Sequence, residues 1–426
     1  MASETTYNKE IIRGKVDFFK GFPSLNDYSN EIELDKFNRI KLFFLTRFIF
    51  LYRYLATLLN KQQNLEKVLS KGLVKHNNHV LKARSNPSSV EENLARETLA
   101  GKESFYLSPE EVAEFETTGL LEPFDVITAE QAEELASFAY NNHQSGAFTQ
   151  TSIFDEATIS VLKRSAQWRL DYSGLYQANR FSNLRDVLRR PEIAHRMASL
   201  LGDDVICWRS QFFEKRPGEI GTFWHQNSVF RETGKNAKLI APEGVEPGMI
   251  QLTAWIALTD VTCGNGALRM IPGSFTDSAV EYFYNFIQDN KLDYVSSLEK
   301  DEIIDFMKLA LFSTGTFYKA QAVFDAIYDR VDNLFQGKRI VDLEMKAGQA
   351  IIFSSLNMHA SYPNTTSDDT RLAFAGRYCN NDVKVFNNMS HGVLTTSEGP
   401  RKYDLTKLGL LQIHGEDHFG HNNILS

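Results

Sequence analysis

The chain has 426 residues and a formal charge of −8, from 46 basic and 54 acidic side chains. A composition of 42% hydrophobic and 23% charged residues excludes disordered, collagen-like and coiled-coil chains, and the acidic excess argues against sequence-independent nucleic-acid binding. Cys207, Cys263 and Cys379 are scattered and lack CxxC spacing, which argues against a disulfide framework or zinc ribbon and fits a reducing cytoplasm. At about 150 residues per domain the length allows two or three domains, or one large β-barrel with additions.

Residues 1–40 are polar and mixed in charge, so no secretory signal is expected. Residues 1–105 read as a helical N-terminal region, with apolar residues at helical spacing from Leu34 to Lys75. Leu42 to Leu59 approaches the length of a membrane span. Arg47 and Arg53 interrupt it, each at a cost of roughly 2.5–3.5 kcal/mol at the centre of a spanning helix. A helix buried against the protein or a partner is the expectation, and a membrane role is disfavoured. Ser108-Pro109-Glu110-Glu111 is a helix start with Ser as N-cap and Pro in first position. Phe124 to Ile127 reads as a strand, followed by Thr128 capping a second helix.

From about residue 203 the pattern changes to short strands: Val205–Phe213, Met249–Leu258, Ala267–Ile271, Leu343–Lys346, Ala350–Phe353 and Arg371–Tyr378. Many short strands separated by turns predict a closed or sandwiched antiparallel sheet over residues 106–426. Residues 276–337, acidic and aromatic with helical periodicity, read as a helical insertion. Gly264-Asn265-Gly266 reads as a hairpin turn.

Two histidines occupy turn-like places in this β-rich part. His225 follows Gly218 and Gly221, and His359 is read as ending the strand that starts at the Gly348 turn. Arg371 follows His359 by 12 residues at the start of the next strand, after the turn Tyr362-Pro363-Asn364. An arginine buried in a barrel needs an anion; Asp368 and Asp369 are one source, and a bound carboxylate gripped by both guanidinium edges is the other. Spacing alone leaves these two open.

The segments FWHQN, IQLTAWIALTDVTCGNGALRMIPGS and GQAIIFSSLNMHASYPNTTSDDTRLAFAGRY resemble the phytanoyl-CoA dioxygenase superfamily of Fe(II)/2-oxoglutarate enzymes. Within it they are most similar to non-haem iron halogenases that act on carrier-protein-tethered amino acids. The resemblance runs from about Phe124 to Phe386. It implies a double-stranded β-helix (jelly roll), mainly β with helices, which uses Fe(II), 2-oxoglutarate and O₂. It also implies that His225 and His359 are metal ligands and that Arg371, helped by Ser361, holds the distal carboxylate of 2-oxoglutarate. Trp255 would line that pocket, and Arg377, on the same strand face as Arg371, matches a second arginine of the halogenases. An acyl or aminoacyl substrate, small or tethered to a carrier protein, is the implied partner.

The sequence departs from the pattern at the third ligand. Oxygenases of this superfamily read His-x-Asp and the halogenases His-x-Ala or His-x-Gly, whereas this chain has His225-Gln226-Asn227. Asn227 offers either a weak neutral ligand or a hydrogen bond to chloride or water at that position. The missing carboxylate also makes an exogenous anion electrostatically easier to accept. Glu232 is an alternative carboxylate. Halogenase-like radical chlorination of an unactivated aliphatic C–H bond is therefore the expected function, with hydroxylation and non-catalytic binding at a decayed iron site as the alternatives. The cluster His414, Glu416, Asp417, His418 and His421 reads as a structural or disordered loop rather than a metal site. Cys207 and Cys379 read as buried strand thiols.

Overall fold

Reciprocal caps fix the first two helices among the described residues of this computed structural model. The structure describes residues 81–82, 84, 104–165, 168–219, 221–222, 224–227, 232–233, 236–276, 339–396, 399–406 and 408–425. The Ser108 hydroxyl accepts from the Glu111 N–H while the Glu111 carboxylate accepts from the Ser108 N–H, opening α1 (Pro109–Thr118). Gly119, at φ 62°, ends it in a left-handed conformation that glycine adopts without strain. Thr128 and Gln131 repeat the device at α2 (Ala129–Ser145). Between these helices lies β1 (Leu120–Asp125), a few residues earlier than the sequence suggests. Helices α3 (Ala147–Gln150), α4 (Glu156–Arg164), α5 (Leu170–Ser173), α6 (Ser182–Leu188) and α7 (Pro191–Leu201) follow.

The strands are β2 (Val205–Lys215), β3 (Glu232–Thr233), β4 (Asn236–Ala237), β5 (Leu239–Ile240), β6 (Leu252–Ala257), β7 (Leu268–Ile271), β8 (Val341–Leu343), β9 (Gln349–Ser354), β10 (Met358–Ser361) and β11 (Arg371–Asn380). Then come β12 (Lys384–Val385), β13 (His391–Thr396), β14 (Gly399–Asp404), β15 (Leu410–His414) and β16 (Ile424–Leu425). The major sheet has the order β1-β9-β6-β11-β2-β15-β16 and faces a minor sheet β10-β7-β8. This is the expected jelly roll.

Alternation divides the major sheet into two faces. Leu372, Phe374 and Tyr378 of β11, with Ala254 and Ile256 of β6, pack against Phe115, Ala132, Ala136 and Ala139 of the helices. Ala373 and Ala375, with Trp255, Ala257, Ile351 and Phe353, point the other way and meet Leu268, Met270 and Leu343 of the minor sheet. Both faces of β6 and β11 are thus covered, and every residue of β6 is buried.

Two expectations are corrected. His359 does not end the Gly348 strand: β9 stops at Ser354, a turn intervenes, and His359 lies on β10 in the opposite sheet. Consequently His359 and Arg371 are not on adjacent strands but on opposed sheets. Gly264–Gly266 does not make a hairpin, because β6 and β7 belong to different sheets and the turn carries the chain between them. The C-terminal cluster is an ordered turn: Asp417 accepts from the N–H groups of Phe419 and Gly420, and His414 contacts the Asp203 carbonyl (2.7 Å) and the Tyr106 hydroxyl (2.6 Å). Cys207 and Cys379 are buried free thiols, as expected. The N-terminal region, apart from a few residues, and the insertion after Thr276 lie outside the described residues. Among the described residues no helix is long and apolar enough to cross a membrane.

Candidate active site

The segment 221–227 runs along the free edge of β10. Gly221 approaches so closely that an added Cβ would lie 2.4 Å from the Ser361 carbonyl oxygen, which explains the glycine. The Ser361 N–H donates to the Thr222 carbonyl (2.9 Å). His225 and His359 then exchange both backbone hydrogen bonds, at 2.9 and 3.0 Å, as an isolated antiparallel bridge. Such a pair presents its side chains on the same side, and the two imidazole centroids are 4.2 Å apart. Nitrogens about 2.1 Å from one ion allow centroids up to roughly 6 Å apart, so this spacing suits a shared metal.

The second ring is set for ligation. His359 Nδ1 lies 2.8 Å from the Asn357 carbonyl, to which it donates, leaving Nε2 with its lone pair. Burial, the neighbouring His225 and Arg377 hold the His359 pKa well below the usual imidazole range, against that hydrogen bond. The ring is therefore neutral, the form a metal requires. Asn227 is buried, and its N–H donates to the Ser355 carbonyl (2.7 Å). Between them Gln226 turns away, its amide donating to the carbonyls of Leu356 (2.7 Å) and Ser274 (3.4 Å). Glu232, the alternative carboxylate, lies on β3, and its side chain is outside the described residues.

Two residues beyond His359, the Ser361 hydroxyl accepts from Lys215 Nζ (2.8 Å) and from the Thr222 N–H (2.9 Å). Lys215 pairs in register with Arg371 across β2 and β11. Lys215 is 4% exposed, and burial, with repulsion from Arg371, pushes its pKa down to about 7. Arg371 is 4% exposed, and burial lowers it to about 10. Its Nη1 donates weakly to the Phe213 carbonyl (3.4 Å), while its buried Nε has no hydrogen-bond partner. The guanidinium lies 5.2 Å from the Trp255 ring centre, so it reaches up the inner face of the sheet. His359 meets that same face at Phe353, with ring centroids 5.1 Å apart. Asp369 accepts from the Asn265 amide (2.8 Å), and the carboxylates that act on Arg371 are those of Asp171 and Glu219 rather than Asp368 or Asp369.

The structure thus brings His225 beside His359, Lys215 onto Ser361 and Arg371 onto Trp255, with Arg377 acting on His359, while Asn227 is buried two residues past His225. Sequence reasoning missed Lys215, which reads as a solvated strand end in Glu-Lys-Arg-Pro-Gly. Alternation on β2, counted from Arg209 through Gln211 and Phe213, was the signal that places Lys215 inside.

Two imidazoles on one wall and a buried guanidinium on the other, enclosed by a jelly roll, define the Fe(II)/2-oxoglutarate oxygenases as a class. The phytanoyl-CoA dioxygenase (PhyH) family model matches residues 115–373, more than half of the chain, and the protein belongs to that family. Its fold is similar to a structure described as CytC3 with Fe(II) and alpha-ketoglutarate: 25% identity over 76% of this chain and 94% of that one, TM-score 0.51. A second CytC3 structure gives 26% identity over the same shares, also with TM-score 0.51. No curated protein matches the chain.

Proposed function

We propose that this protein oxidises an unactivated aliphatic C–H bond of an acyl or aminoacyl substrate, with Fe(II) held by His225 and His359 and 2-oxoglutarate held by Arg371. The observation that carries the reading is the buried Arg371 Nε left without a partner opposite the paired imidazoles. A carboxylate is what completes such a guanidinium. Ser361 and Lys215 stand beside it as further donors, and Trp255 forms the apolar wall. His359 and Ser361 sit two residues apart on one strand face, about 7 Å, the length over which a five-carbon keto acid spans from a metal to a basic anchor.

The chemistry such a centre supplies is activation of O₂ coupled to decarboxylation of 2-oxoglutarate to succinate and CO₂. With the remaining oxygen atom such a centre would turn R–H into R–OH or, with chloride and a proton, R–H into R–Cl and water. With Asn227 where a carboxylate ligand would stand, the site carries one negative charge fewer, which favours chloride and hence radical chlorination.

The test is direct. Anaerobic Fe(II) with 2-oxoglutarate gives a weak visible charge-transfer band, and its absence with no iron retained favours a non-catalytic binding protein. Product from a chloride-containing reaction carries the chlorine isotope pattern and loses it when chloride is omitted. A product that gains oxygen alone, whatever the chloride, establishes hydroxylation instead.

The pH dependence of cosubstrate binding follows from Lys215. Below about pH 7 it is charged in the free protein and attracts a dicarboxylate; above, the charge is lost and must be regained from solvent on binding. The apparent Kd for 2-oxoglutarate, titrated anaerobically, should therefore rise roughly tenfold from about pH 6 to 8. Lys215→Met should flatten the profile at the weaker value. A wild-type Kd indifferent to pH removes Lys215 from the binding set.

A further inference from the structure

The inner face of β11 reads Arg371, Ala373, Ala375, Arg377: two arginines about 20 Å apart along the strand with only methyl groups between them. The first belongs to the cosubstrate end. At the other, Arg377 lies in register between Arg209 of β2 and Thr253 of β6, forming one row across three strands. The ladder shifts register between Arg377 and Tyr378, leaving Trp208 of β2 without a partner, and a bulge of this kind re-aims side chains. Two guanidinium groups are thereby placed side by side under the roof of the barrel. Burial, and repulsion from Arg209, push Arg377 down to about 9. Arg377 also acts on His359, which sets this basic row on the metal side of the chamber.

The neighbouring polar atoms are unsatisfied in a way that points to a ligand. Arg209 donates from Nη2 to the Gln211 side chain (3.0 Å), but its buried Nε has no hydrogen-bond partner. The Thr253 hydroxyl, in a residue 4% exposed, has none, and neither has the Tyr176 hydroxyl, in a residue 1% exposed. The Tyr176 ring lies 5.8 Å from the Arg209 guanidinium. Tyr176 also holds φ at 60°, a left-handed conformation unfavourable for an aromatic residue. Its N–H is tied to the Ser210 carbonyl of β2 (2.9 Å), which fixes the phenol against Arg209. Strain of this kind persists where the surrounding structure over-determines it, and it gathers at binding sites.

We infer that Arg209, Arg377, Tyr176 and Thr253 form a second anion site, which holds the free carboxylate of a small-molecule substrate and presents its aliphatic chain to the metal. This deepens the function proposed above and rests on it. The chamber then has a basic anchor at each end: Arg371 and Lys215 for the cosubstrate, Arg209 and Arg377 for the substrate acid. A thioester has lost the carboxylate through which it is joined, so of the acyl or aminoacyl substrates proposed above this site selects the free acid.

The test uses the full chain loaded with Fe(II) and saturating 2-oxoglutarate under anaerobic conditions, so that the cosubstrate site is filled. The probes are the proteinogenic L-amino acids and the corresponding C2–C8 fatty acids, each paired with its methyl ester, and inorganic phosphate. The readouts are thermal stabilisation and the shift of the charge-transfer band. The expected result is that one or more free acids bind and their esters do not. Arg209→Gln and Tyr176→Phe should then weaken binding about tenfold or more while leaving the cosubstrate band in place. Equal binding of acid and ester overturns the inference, as does failure of every acid to bind or indifference to both substitutions. Stabilisation by phosphate alone also overturns it, and assigns the row to the phosphodiester of a carrier arm. Loss of the cosubstrate band in the wild-type protein is a separate outcome that removes the iron reading itself and the inference with it.

Discussion

Replacing Arg371 with alanine should lower kcat/KM for 2-oxoglutarate by about 10²–10³-fold while leaving the cosubstrate-free protein nearly as stable as before. Each charge-assisted hydrogen bond to a carboxylate contributes roughly 1.5–3 kcal/mol, and the planar fork makes two. Without cosubstrate the same residue is a burden: it is 4% exposed, its Nε is unsatisfied, and burial lowers its pKa to about 10 against the attraction of Asp171 and Glu219. An unmet buried donor costs about 1–3 kcal/mol, comparable with the packing lost on truncation. The thermal midpoint without ligand is thus expected to move little, whereas the large rise produced by 2-oxoglutarate in the wild type should vanish. Arg371→Lys should fall between, since it keeps the charge and loses the fork. A purely structural arginine gives the opposite pattern: a destabilised protein with unchanged cosubstrate affinity.

Much of this site is legible in the sequence because strand alternation carries it. Arg371 and Arg377 share a face by counting alone, and the strong strands β2, β6 and β11 announce themselves through β-branched and aromatic residues. The helix starts at Ser108 and Thr128 are equally plain, because a capping box is a local device. What fails is whatever depends on pairing at long range. β10 has four residues, all buried, so it lacks the alternation that separates one strand from its predecessor. His225 is held by a single bridge to His359 rather than by a strand of its own. Tyr176 sits in a short left-handed corner whose direction only its bond to Ser210 reveals. Lys215 and Arg209 were within reach of the same alternation that exposed Arg371. A lysine beside Arg-Pro-Gly and an arginine beside serine read as surface residues until the partner strand is known to be buried throughout.

Asn227→Asp should reverse the chemistry of the proposed site, cutting any chlorinated product at least about tenfold in favour of the hydroxylated one. The exchange is nearly isosteric, and the backbone at this position is fixed by the Asn227 N–H donating to the Ser355 carbonyl (2.7 Å) and by Gln226 anchored to Leu356 and Ser274. The new carboxylate therefore stands two residues past His225, where it competes with chloride for the same position and repels it. Stability supplies a second readout. In a metal-free protein a buried carboxylate costs about 1–3 kcal/mol more than the amide it replaces. Iron should restore that loss and bind more tightly, so the aspartate variant should show a lower midpoint without metal and a larger gain with it. Asn227→Ala is the complementary control: it leaves the position open, adds no charge, and should retain chlorination. If the aspartate variant chlorinates as well as the wild type, position 227 does not face the metal. If the alanine variant loses chlorination, the asparagine amide itself holds the halide through its N–H donors.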